Sequence, residues 1–143
     1  MFLSARFYSL LLVTFALLGQ SGLRSEHFAV LSEAKDDARS RRVLERLEDL
    51  RSALIQLNGK NWVPKQPVYV WLPGSIEEYR QLATRADQAG LFQSGPRVSW
   101  IVVSPQTDFF LEVLSHEYLH AVLANVLPGL PWWLEEGLCE YYS

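Results

Sequence analysis

The sequence predicts an α+β fold, a small twisted sheet packed with helices. Two features carry that prediction. Short β-branched and aromatic runs are bounded by Pro, Gly and Asn, and longer stretches repeat their apolar residues every three or four positions. Their order is strand, helix, strand, helix, strand, helix, helix, and 143 residues suit one domain with one core.

His27 to Leu31 reads as the first strand. Residues 33–57 follow as a long helix, because Val43, Leu47, Leu50, Leu54 and Leu57 recur at spacings of four and three among Arg, Glu and Asp. Asn58 and Gly59 supply its left-handed stop. Pro67 to Leu72 is the second strand, closed by Pro73-Gly74. Ser75 and Glu78 then have capping-box spacing, with Ser75 as N-cap and Glu78 reaching back, and a short helix is expected to about Thr84. Arg85 to Gly95 carries no periodicity and is expected to be loop. Arg97 to Val103 is the third strand. A helix from about Asp108 to Asn125 stops at Pro128-Gly129, and another starts near Pro131 and runs to the end.

The first 21 residues are set apart from the fold. Arg6 precedes an apolar run from Phe7 to Leu18, and Gly19-Gln20-Ser21 gives small-x-small spacing, which together read as a secretory signal. Residues 22–143 would then form the exported domain, periplasmic or secreted; an uncleaved N-terminal anchor is the alternative. After cleavage no span is expected. The formal charge of -3 offers no basic surface, so nucleic acid and anionic lipid are not expected partners. The one cysteine, Cys139, has no internal disulfide partner and sits in an apolar helical pattern, where a small buried residue is expected.

The chemistry concentrates in Leu114-Ser115-His116-Glu117-Tyr118-Leu119-His120. Two histidines four apart on a helix differ by about 40° around the axis and about 6 Å along it, so both rings can face one ion. Glu117 stands beside the pair, where it can reach a water at the metal. This is the H-E-x-x-H arrangement of zinc metalloproteases, and it should arise by accident on the order of once in two hundred such chains. The surrounding helix is apolar on nearly every face, from Phe109 to Leu127. Burying two imidazoles and a carboxylate there without partners costs several kcal/mol (roughly 2–7 per polar group), which a metal would offset.

A catalytic zinc needs a third protein ligand and an open position. A metzincin would place Gly three and His six residues after His120, where this chain has Leu123 and Val126. An intramembrane protease needs a span that Glu112 and the proline-rich turn interrupt. A glutamate on the next helix remains. That helix reads Trp132-Trp133-Leu134-Glu135-Glu136-Gly137-Leu138-Cys139-Glu140-Tyr141-Tyr142.

Here the sequence resembles the gluzincins, closest to small bacterial peptidase-MA-like domains. The resemblance rests on H-E-x-x-H followed by Trp-Leu-x-Glu-Gly-Leu-x-Glu-Tyr, and it covers residues 116–142. It implies a zincin-like fold in which the active-site helix is followed by a glutamate-bearing helix, with Glu136 as third zinc ligand beside His116 and His120. Cys139 stands where alanine is usual. Spacing adds weak support, because Glu136 shares a helix face with Trp132, Trp133 and Glu140, whereas Glu135 is better read as solvated. Glu140, one turn on, can accept a hydrogen bond from the free nitrogen of His116 or stand as a surface charge. Gly137 costs a helix about 1 kcal/mol, which a close approach to the histidine helix would explain.

The expected function is zinc-dependent hydrolysis of peptide bonds, by water activated at the metal with Glu117 as general base. Gluzincins generally add a Tyr or His after the third ligand to stabilise the oxyanion. Only Tyr141 and Tyr142 stand nearby, and both read more simply as packing aromatics. Either the site is minimal or the chain is truncated at its C-terminus. By resemblance and position, Arg97 to Val103 is the expected edge strand receiving a peptide or protein substrate. Two rivals stand beside this one: an exported zinc-binding partner module without catalysis, and a helical core without metal.

Overall fold

A computed structural model describes residues 22–33 and 36–143. The signal reading of residues 1–21 lies outside them. The strands are β1 (Leu23–Arg24), β2 (Phe28–Ser32), β3 (Val68–Leu72), β4 (Gly90–Gln93) and β5 (Ser99–Val103). The helices are α1 (Asp37–Asn58), α2 (Ile76–Arg80), α3 (Phe110–Val126) and α4 (Trp132–Tyr142).

The expected α+β class is the observed one, built on a mixed five-stranded sheet ordered β1-β2-β3-β5-β4. β2, β3 and β5 run parallel, with Val30 opposite Val70 and Val70 opposite Ile101. β1 and β4 flank them antiparallel. Parallel neighbours need a long crossover, which α1 supplies between β2 and β3. Central strands covered on both faces read as continuous apolar runs, and all five residues of β5 are buried.

Alternation along the strands divides the core in two. Val30, Val68, Val70, Ile101 and Val103 pack with α1 and α3 residues such as Leu47, Leu54, Leu114 and Leu119. Trp71, Trp100 and Val102 face the other way and pack with Tyr79, Leu82 and Leu91. The helix caps follow the local sequence. Asp36 accepts from the Arg39 amide at 3.0 Å, and Gly59 closes α1 at φ 100°. Ser75 accepts from the Glu78 amide at 3.2 Å, while Glu78 accepts from the Gly74 amide at 2.9 Å.

Two expectations are corrected here. The stretch Arg85 to Gly95 is not all loop, because Gly90–Gln93 forms β4. Arg97 to Val103 does not hold the sheet edge, because β5 lies between β3 and β4. Four residues are too few to show a period, and the pairing that makes β4 a strand comes from β5: Leu91 opposite Val102 and Phe92 opposite Ile101. β1, two residues long, is also absent from the sequence reading. Among the described residues no helix is long and apolar enough to cross a membrane.

Candidate metal centre

α3 lies against the sheet and α1, with Leu114, Ser115, Tyr118, Leu119, Val122 and Leu123 all buried. That face fixes the helix rotation, so His116 and His120 project to the opposite side, toward α4. Their rings lie 4.9 Å apart, and their Nε2 atoms are 3.2 Å apart. Gly129, at φ 83°, lets the chain reverse after α3 and lays α4 across the pair.

α4 brings three carboxylates. Glu136 places Oε2 3.3 Å from His116 Nε2 and Oε1 3.3 Å from His120 Nε2. Glu140 Oε1 stands 3.4 Å from His116 Nδ1, and Glu135 Oε1 stands 2.8 Å from His120 Nδ1. Glu135 is thus not a solvated residue, as expected from its helical angle, but the partner of His120. A carboxylate at each Nδ1 favours the tautomer with hydrogen there and leaves both Nε2 lone pairs facing the Glu136 oxygens. Four acceptor atoms, the two Nε2 and the two Glu136 oxygens, lie 3.2–3.3 Å from their neighbours and repel one another unless something positive sits among them.

The spacing suits a metal. Ligand bonds of roughly 2.0–2.1 Å in a tetrahedron give edges of about 3.3–3.4 Å. Two imidazoles and a carboxylate are a donor set zinc takes in catalytic sites, with a fourth position left open. Cys139 adds a further donor, since its Sγ and one ring nitrogen from each of His116 and His120 lie within 4.8 Å of one another. It is fully buried, and burial, with Glu136 and three further carboxylates nearby, pushes its thiol up to about 12.

Glu117 faces the cleft beside the rings. Burial and the Glu136 charge raise its carboxyl, His120 and the Phe92 backbone N–H lower it, and the net position is about 7. The Phe92 N–H belongs to β4, whose close approach depends on Gly90. A Cβ at position 90 would lie 2.5 Å from Val113 Cγ1 and 2.9 Å from both Cγ and Oε1 of Glu117. The approach expected at Gly137 is not there, since a Cβ at that position meets nothing within 4 Å. The crowded glycine is in the edge strand.

The site opens into a cleft of about 820 Å³, lined among others by Gly90, Phe92, Glu112 and Trp132. Neither Tyr141 nor Tyr142 lines it. Tyr141 is exposed and meets Tyr142 edge to face, and Tyr142 in turn packs on Trp62. Gly90, Glu135 and the β4 edge were missed from sequence. A carboxylate immediately before Glu136 was the one available signal for Glu135, and Gly90 had none beyond being a glycine ahead of Leu-Phe. No family model matches this chain, and no curated protein matches it.

Proposed function

We propose that the chain is a zinc metallopeptidase of the gluzincin type, with a zincin-like fold. His116, His120 and Glu136 hold the metal and Glu117 is the general base. The observation that carries this is the convergence of two Nε2 atoms, 3.2 Å apart, with the two Glu136 oxygens, each 3.3 Å from one of them, while the Glu117 carboxylate stands outside the group. Zinc bound there would polarise a peptide carbonyl and bring the pKa of a water to about 7.

The chain's own residues do the rest. Glu117 accepts a proton from the attacking water and returns it to the leaving amine. The Phe92 N–H and the packing of Gly90 against its side chain hold that carboxylate in the cleft. Glu140 and Glu135 orient the two rings through their Nδ1 atoms. The sheet edge beside the site is β4, so an extended peptide would add there through backbone hydrogen bonds, with little demand on its side chains. Export rests on the signal pattern in residues 1–21.

One observation favours a second reading, the zinc-binding partner module without catalysis: Cys139 lies close enough to both rings to complete a closed site. A closed site has no use for a base, and Glu117 faces the cleft. Metal analysis of purified protein, with peptide turnover measured with and without a chelator, separates the two. The expected result is one zinc per chain, turnover lost on chelation, and Glu117→Gln retaining zinc while losing at least about a hundredfold in rate. Full turnover in that variant would sink the hydrolase reading.

A further inference from the structure

We propose that the cleft selects peptides presenting a positive charge next to the scissile bond, an inference that rests on the metallopeptidase reading. The lining carries five carboxylates, Asp87, Glu112, Glu117, Glu136 and Glu140, against one cationic side chain, Arg85. Arg85 is already taken, its Nη2 donating to Asp87 Oδ2 at 2.7 Å and its Nε donating to Oδ1 at 3.1 Å. Glu136 and Glu117 serve the metal and the proton, and Glu140 faces His116. Glu112 is left over. It stands one helical turn before His116 on the cleft side of α3, is exposed, and has no ion pair among the described residues.

A second element completes the recognition. Trp132 lines the same cleft with 75% of its surface exposed. A large indole left in water in the same cleft as an unpaired carboxylate suits a long cationic group. The methylene stem lies along the ring, the charge is drawn to the ring face, and the carboxylate accepts its hydrogen bonds. An acidic peptide meets the same lining as repulsion. The charge could come from a lysine or arginine side chain or from a peptide's own terminal amine.

The test uses the zinc-loaded full chain and quenched fluorogenic peptides with Lys, norleucine or Glu beside the cleavage site, each with a free and an acetylated amino terminus. The expected kcat/KM for Lys exceeds that for norleucine by about tenfold at low salt, and the gap narrows near 0.5 M salt, where the screening length falls to roughly 4 Å. Glu112→Gln cuts the Lys preference by about threefold, and Trp132→Leu lowers turnover of both the Lys and the norleucine peptide, the Lys peptide by about threefold more. A preference that follows the free amine instead assigns the charge to the terminus. Equal rates for all three peptides, or a preference indifferent to both salt and Glu112→Gln, overturn the inference. Binding of the same peptides to Glu117→Gln keeps the two ideas separable. A cation preference in binding without wild-type turnover of any peptide would remove the hydrolase reading and leave the cleft's selectivity standing.

Discussion

The two helices that meet at the centre are anchored very differently. α3 buries seven of its residues, six of them in the main core. α4 buries Cys139 alone and leaves Trp132, Trp133 and Tyr141 in solvent. Beyond Cys139, α4 is held by Leu138 and Tyr142 against the core, by Glu135 at His120, and by Arg46, which donates to Ser115 Oγ at 2.8 Å and to the Ser143 carbonyl at 3.2 Å. The imidazoles therefore ride on a rigid element, and the carboxylates ride on one that opens more cheaply. Metal affinity should depend on both helices, whereas fold stability should depend mainly on α3.

The strongest break of that contrast is His120→Ala, expected to lower zinc affinity by well over about a hundredfold, beyond the loss from removing a ligand's hydrogen-bond partner. Competition with a chromogenic chelator measures it, and unchanged affinity would remove His120 from the ligand set. Next is a pH effect in the metal-free protein. Glu117 is raised from 4.5 to about 7, so the folded state holds its proton where the unfolded chain has released it. That contribution to stability is complete below pH 4.5 and is lost as pH rises to about 7, a fall of roughly 1–3 kcal/mol. Urea titrations of wild type and Glu117→Gln should diverge over that window, with the Gln variant the more stable at pH 8. Parallel curves would count against the burial of that carboxyl.

Glu135→Ala should weaken zinc binding by about 10- to 100-fold while moving the unfolding midpoint little, since the residue serves His120 and not the core. A large midpoint shift without loss of affinity would reverse its role. The smallest effect separates the helices directly. Amide exchange in α4 should run faster than in α3 and slow on zinc addition, because ligand binding to the folded state suppresses its opening.

How much of this was readable in advance follows the range of each interaction. H-E-x-x-H is a property of one helix, so the placement of His116, Glu117 and His120 on one side of α3 follows from residue spacing. Glu136 needed only a short turn and a second helix to stand 3.3 Å from each ring. The capping of α2 by Ser75 is equally local. The rest depends on partners distant in sequence. β4 is a strand only because β5 pairs with it, and β5 ceases to be an edge for the same reason. Glu135 falls outside the Glu136 face by helical angle, yet its side chain bends to His120 across the interhelical gap. Gly137 looked like the tight glycine because it sits in a helix, where glycine is costly. The tight one sits in a strand that local propensity does not announce.

Gly90 and Gly137 thereby set opposite limits on sequence drift. Open space around Gly137 lets a methyl enter freely and would even strengthen the helix. At position 90 the first added carbon must displace both Val113 and the side chain of Glu117. Variation along a lineage that keeps Glu117 in place should therefore accumulate at one of these glycines and stay silent at the other.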